Sequence, residues 1–164
     1  MKISAIIQAR TSSKRLPNKI FLPLGDEPLI WHVVNRLNYS KYINHIVVAT
    51  TNNQNDDIIE KWANINQIYC FRGEENNVLS RFYNCANHHK SDIIVRITSD
   101  DPFKDSSLID EAIELLLNKH MDFVHNNFPP TFPEGLDVEV FTFKTLEESF
   151  FNCTSTYDKE HLTQ

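Results

Sequence analysis

Residues 3–19 read ISAIIQARTSSKRLPNK, and the join in the middle of this stretch decides the fold. Ile3 to Gln8 is apolar, branched and of strand length. Ala9 to Lys19 follows at once, packing Arg10, Lys14, Arg15 and Lys19 around the hydroxyls of Thr11, Ser12 and Ser13. In a parallel α/β sheet ligands lie beyond the carboxyl ends of the strands, so a cationic loop at such an end is a candidate site.

Working outward, the same strand-then-helix alternation recurs. His45 to Thr50, Ile68 to Phe71 and Asp92 to Thr98 read as further strands. Leu29 to Leu37, Asp56 to Ala63, Val78 to Ala86 and Leu108 to Leu117 carry apolar residues at helical steps, the last starting after Ser107 with Asp110 as a capping-box-like partner. This pattern predicts a three-layer, mostly parallel α/β sheet, Rossmann-like, in one domain over residues 1–164. Leu136 to Phe143 alternates like a half-exposed strand after the proline-stiffened Phe128 to Pro133.

Composition narrows the chemistry. The chain has three glycines, which excludes glycine-rich phosphate loops and leaves anion recognition to side chains. Net charge is −6, against a general nucleic-acid or anionic-membrane surface, yet residues 1–25 hold five cations and no acid. Cys70, Cys85 and Cys153 fall in no metal-like spacing, and no stretch has the form of a signal peptide or membrane span, so a reduced, cytoplasmic setting is expected. His88-His89 at a helix end lacks further ligands at suitable spacing, and Trp31, Trp62 and Phe150-Phe151 read as core or subunit contacts.

Two constellations carry chemistry. Arg10, Lys14, Arg15 and Lys19, with adjacent hydroxyls and backbone donors, suit a polyanion such as a triphosphate. Arg96-Ile97-Thr98-Ser99-Asp100-Asp101-Pro102 ends a strand in two carboxylates; these fit Mg²⁺ shared with phosphate oxygens, or a simple turn. Asp137 and Glu139, two apart on the outward face of a predicted strand, fit sugar hydroxyls or an exposed polar face.

Ala9 to Lys19 followed by Leu24-Gly25-Asp26-Glu27-Pro28-Leu29 resembles the opening motif of the sugar-activating cytidylyltransferases, the acylneuraminate and 3-deoxy-manno-octulosonate enzymes. The chain is most similar to the spore-coat polysaccharide biosynthesis protein F type, through Phe71-Arg72-Gly73-Glu74, Asn77 to Phe82, Arg96 to Pro102 and Phe132 to Phe141. The resemblance implies a nucleotide-diphosphosugar-transferase-like fold binding CTP and Mg²⁺. It implies that Ala9, Arg10, Ser12, Arg15, Lys19, Arg81 and Thr98 surround the nucleotide, that Arg10, Lys19 and Asp100 serve catalysis, and that Asp100 ligates the metal. Asp137, Glu139 and His161, the last in a Glu-His-Leu-Thr segment, would face the sugar, or His161 would cap a helix.

The implied reaction activates a sugar, acidic sugars included, to its CMP-sugar with release of pyrophosphate, for surface polysaccharide assembly. Proteins of this family continue past the position of Gln164 into a further acidic metal-contact segment, so the domain is expected to be C-terminally incomplete. Two other readings stand beside it: a nucleotide-sugar-dependent glycosyltransferase of similar fold, and a non-catalytic nucleotide-binding module. A homodimer through the aromatic-rich Phe128 to Phe151 region is a further expectation.

Overall fold

The computed structural model describes residues 1–13, 15–155, 157 and 159. Its elements run β1 (Ile3–Gln8), β2 (Pro23–Leu24), β3 (Glu27–Pro28), α1 (Leu29–Leu37), β4 (His45–Thr51), α2 (Asp57–Ile65) and β5 (Tyr69–Gly73), then α3 (Val78–His89), β6 (Ile93–Thr98), α4 (Ser106–Asn118), β7 (Phe123–His125), β8 (Glu139–Thr142) and α5 (Phe143–Asn152). Six strands form one sheet in the order β5-β4-β1-β6-β8-β7. The first four are parallel, and β8 runs antiparallel to both β6 and β7.

Alternation along β1 builds the three layers. Ile3, Ala5 and Ile7 point into a core shared with Ile30, Val33 and Leu37 of α1, Ile59 of α2 and Ile109 and Ile113 of α4. Ile6 points the other way, against Leu79 and Phe82 of α3 and Leu146 of α5. Each fully buried branched side chain contributes about 1.5–3 kcal/mol, so a one-residue slip of β1 would forfeit both cores at once. The strand order turns back at β1: the chain runs outward through β4 to β5, then returns to the other side of β1 as β6. That reversal places a crevice at the carboxyl end of β1.

Two sequence expectations are corrected here. Helix α4 is capped by Asp105, whose carboxylate accepts from the backbone N–H groups of Ser107 and Leu108. Asp110 instead turns sideways and takes the Ser40 hydroxyl and the Lys41 N–H, so no Ser107–Asp110 box forms. The strand predicted over 136–143 is confined to Glu139–Thr142, because Thr142 caps α5 by accepting from the Thr145 N–H. Phe150 stacks on Tyr83 at 4.2 Å, while Phe128 and Phe151 are exposed.

At the amino-terminal end of the strands, His45 Nε2 and His89 Nδ1 lie 3.1 Å apart beside Tyr69. Burial, together with His45, His88 and Lys2, pushes the His89 pKa down to about 4. Burial likewise raises the Cys85 thiol to about 12 and Cys70 to about 11. Among the described residues no helix is long and apolar enough to cross a membrane.

Candidate functional site

The loop after β1 is stitched together at Thr11. Its carbonyl accepts from the N–H groups of Ser13 (2.9 Å) and Asn18 (3.0 Å), folding the loop back on itself. Its own N–H and hydroxyl both donate to Oδ1 of Asp56, at 2.8 and 2.6 Å, and the Thr51 hydroxyl binds the other carboxylate oxygen. Asn18 then takes a left-handed conformation, φ 56°, and Ile20 plugs fully into the core. The loop is pinned at both ends, so Arg10, Ser12, Arg15 and Lys19 are presented from a fixed frame. Lys14 lies outside the described residues.

These side chains line a cleft of about 720 Å³ over the carboxyl ends of β1 and β6, together with Gln8, Glu75, Thr98 and Asp100. Lys19 Nζ is ion-paired with Asp100, joining the two constellations that the sequence placed 81 residues apart. Arg10 and Arg15 face the cleft without an ion pair among the described residues. Three cations, Arg10, Arg15 and Lys19, against two carboxylates, Asp100 paired with Lys19 and Glu75 turned to Ser12 and Asn53, leave this wall suited to a polyanion. Gln8 brings a buried side-chain oxygen, Oε1, that has no partner among the described residues, an acceptor placed for a ligand's donor.

The adjacent aspartates are sorted by their contacts. Asp101 accepts from the Thr98 hydroxyl at 2.9 Å and pairs at 3.1 Å with Lys104, which is 3% exposed. Asp101 is therefore committed to the turn, and Asp100 is the carboxylate at the cleft. One exposed carboxylate beside space for a phosphate chain fits Mg²⁺, which keeps most of its shell as water and phosphate oxygen. Among the described residues no group of three or more His, Cys, Asp or Glu side chains gathers around a common point.

Other expected contacts lie elsewhere. Ala9 is buried, its N–H bonded to the Ala49 carbonyl, so it can supply only backbone to the rim. Arg81 does not line the cleft: it is 1% exposed and sits beneath the β5–α3 loop, donating to the carbonyls of Glu74 and Glu75. Burial pushes its pKa down, with Arg10 adding to the effect. Gly73 lies directly against it; a Cβ there would meet Arg81 Cγ at 3.0 Å.

Asp137 and Glu139 do not share an outward face. Asp137 precedes β8, and its carbonyl accepts from Lys104 Nζ. Glu139 is 6% exposed, paired at 2.6 Å with Arg96 on the neighbouring strand, and it accepts from Asn127 Nδ2. A carboxylate so close to a cross-strand arginine is drawn inward, which the polar–apolar alternation alone did not reveal. His161 lies outside the described residues.

Three residues at the site were missed in the sequence: Asp56, Gln8 and Glu75. Asp56 reads as an ordinary acid at the start of a helix, and Gln8 as the end of a strand. Glu75 sits on the cleft wall with Oε1 accepting from the Ser12 hydroxyl at 3.0 Å and Oε2 from Asn53 Nδ2 at 2.5 Å. The one available signal was Glu75's place in the loop after β5, a strand carboxyl end.

Comparison with known proteins identifies the family. The chain is 44% identical over 163 residues to an uncharacterized protein of Methanocaldococcus jannaschii, covering 99% of this chain and 66% of that protein. It is 31% identical to the spore coat polysaccharide biosynthesis protein SpsF of Bacillus subtilis, covering 95% and 69% respectively. A solved cytidylyltransferase from Leptospira borgpetersenii superposes with a TM-score of 0.93 at 39% identity, over 99% of this chain and 69% of that one. The chain thus spans just under two thirds of the archaeal relative. Residues 4–163 match the cytidylyltransferase family, and with a cationic strand-end loop facing Asp100 on the same sheet, the chain belongs to that family.

Proposed function

We propose that this chain carries the nucleotide site of a CTP-dependent enzyme that activates a sugar to its CMP-sugar, releasing pyrophosphate, for surface polysaccharide assembly. The observation that carries the reading is the cleft in which Arg10 and Arg15 stand without ion-pair partners among the described residues while Lys19 meets Asp100. In the reaction a sugar hydroxyl oxygen bonds to the α-phosphorus, the bond from that phosphorus to the β-phosphate bridging oxygen breaks, pyrophosphate leaves, and the hydroxyl proton passes to solvent. Charge spreads over the phosphoryl oxygens in the transition state, so fixed cations are the main resource the protein supplies.

In this reading Arg10, Arg15 and Lys19 hold the triphosphate, and the Thr11 anchor keeps them from recoiling. Asp100 is the residue that would hold Mg²⁺; when bound, the ion supplies charge neutralisation of the phosphates. The three free cysteines suit a reducing cytoplasm, and exposed Phe128 and Phe132 offer surface to a second copy of the chain.

The test incubates the protein with each nucleoside triphosphate, Mg²⁺ and a panel of sugars, acidic sugars first, and follows pyrophosphate. Sugar-dependent release with CTP is the expected result. Release of a nucleoside diphosphate from a sugar donor would instead establish glycosyl transfer, and nucleotide binding without turnover would leave a binding module.

A further inference from the structure

Glu75 is an anion on the wall of a cleft otherwise arranged for anions. Its carboxylate is held from two sides and its backbone from a third. Ser12 and Asn53 bind its two oxygens, and Arg81 grips its backbone carbonyl from below. Asn53 is itself fixed: Arg72 donates to the Asn53 carbonyl at 2.8 Å and to the Thr51 carbonyl at 2.9 Å, and it is paired with Asp57 and Glu60. A carboxylate held this way repels phosphate, so it favours a part of the ligand that is neutral and rich in hydrogen-bond donors.

Its position says which end of the ligand that is. Glu75 follows β5 and Asp100 follows β6, with β4 and β1 between them. Three strand steps separate the two by about 14 Å, the scale of an extended nucleotide. Arg10, rooted in the loop that follows β1, stands between these two walls. The triphosphate then extends toward Lys19 and Asp100, and its uncharged end falls under Glu75. Each carboxylate oxygen accepts more than one hydrogen bond, so Glu75 keeps capacity beyond Ser12 and Asn53.

Resting on the nucleotide reading above, we infer that Glu75 is a specificity-determining residue that accepts hydrogen bonds from the nucleoside end of the triphosphate. The donors come from the ribose hydroxyls or from the exocyclic amine of the base, two sources of one chemistry.

Calorimetric titration of the wild-type chain, Glu75→Ala and Glu75→Gln with CTP, UTP, dideoxycytidine triphosphate and inorganic tripolyphosphate tests this. Glu75→Ala weakens CTP by about tenfold or more, while tripolyphosphate binds at least as tightly as before because a negative charge has gone. Glu75→Gln, which keeps one acceptor, recovers part of the CTP affinity. The wild-type preference for CTP over the dideoxy analogue collapses in Glu75→Ala if the ribose is read; the preference over UTP collapses if the amine is read. Parallel loss of CTP and tripolyphosphate, or both preferences unchanged with CTP binding intact, overturns the inference alone. A wild-type chain that binds no nucleotide removes the cytidylyl-transfer reading and this inference with it.

Discussion

Asp56 and Thr11, 45 residues apart, are joined twice: one carboxylate oxygen accepts both the backbone N–H and the hydroxyl of Thr11. Asp56 is 1% exposed and Thr11 5%. Asp56→Ala leaves the Thr11 N–H and the Thr51 hydroxyl without their acceptor in a buried setting, and the Thr11 hydroxyl with only its 3.4 Å contact to the Asn55 carbonyl, at about 1–3 kcal/mol for each group that finds no new partner. Chemical denaturation should show a loss of roughly 2–5 kcal/mol, and calorimetry a triphosphate affinity lowered by about tenfold or more. Thr11→Ser retains both donors and should stay near wild type. A folded Asp56→Ala protein with unaltered affinity would show that the loop holds its own shape.

In the proposed reading Lys19→Ala removes a charge-assisted contact to phosphate, of about 1.5–3 kcal/mol, and should weaken triphosphate binding by about 10–100-fold. The fold should tolerate it, since the Lys19–Asp100 pair is partly exposed and such pairs add little stability. Titration with inorganic tripolyphosphate decides the matter, and equal affinity in the variant would remove Lys19 from the phosphate wall.

Asp100→Asn is expected to leave the melting temperature close to that of wild type while abolishing the Mg²⁺ dependence of turnover. The readout is initial rate against Mg²⁺ concentration. A variant with the wild-type metal requirement would move the metal role to another residue. Asp101→Asn provides the contrast: it disturbs the bonds to Thr98 and buried Lys104, and its effect should appear first as lost stability.

Gly73→Ala places a methyl group 3.0 Å from Arg81 Cγ and 3.3 Å from its Cβ. Arg81 is fully enclosed and cannot swing aside, so overpacking of about 1–3 kcal/mol is expected. Because Arg81 holds the carbonyls of Glu74 and Glu75, the same variant should loosen the β5–α3 loop, detectable as faster amide exchange at 74–76.

His89 makes stability pH-dependent at the far end of the sheet. Its pKa falls from 6.5 to about 4 on folding, chiefly through burial. Between those values the unfolded chain binds more protons than the folded one, so stability declines as pH drops through this window and levels off beneath it. Replacing His89 with Gln should flatten melting temperature against pH there; a slope equal to wild type would exclude His89 as its source.

The legible part of this molecule is the part encoded by local periodicity. Strand β1 and helix α1 were bounded to the residue because branched runs and helical steps need no knowledge of partners. Asp100 and Lys19 were legible as chemistry, since cationic and acidic loops at strand ends are visible one at a time. Glu75 and Asp56 were not, because what they do depends on Ser12 and Thr11, 63 and 45 positions away in the chain. Glu139 failed for a related reason: alternation says which way a side chain tends to point, but not that an arginine awaits it at the paired position on β6.

The Arg96–Glu139 pair also acts as an alignment key. Strand β8 runs against β6 with Arg96 opposite Glu139, and a shift by one residue would bury the carboxylate away from its cation, a far larger penalty than the intact pair's own contribution. Fixing that alignment fixes how much chain is left over before β8. It thereby sets the span of residues 126–138, so a buried carboxylate and its half-buried arginine determine where Asn126 can clasp the far end of that loop, accepting from the Val138 N–H and donating to the Leu136 carbonyl.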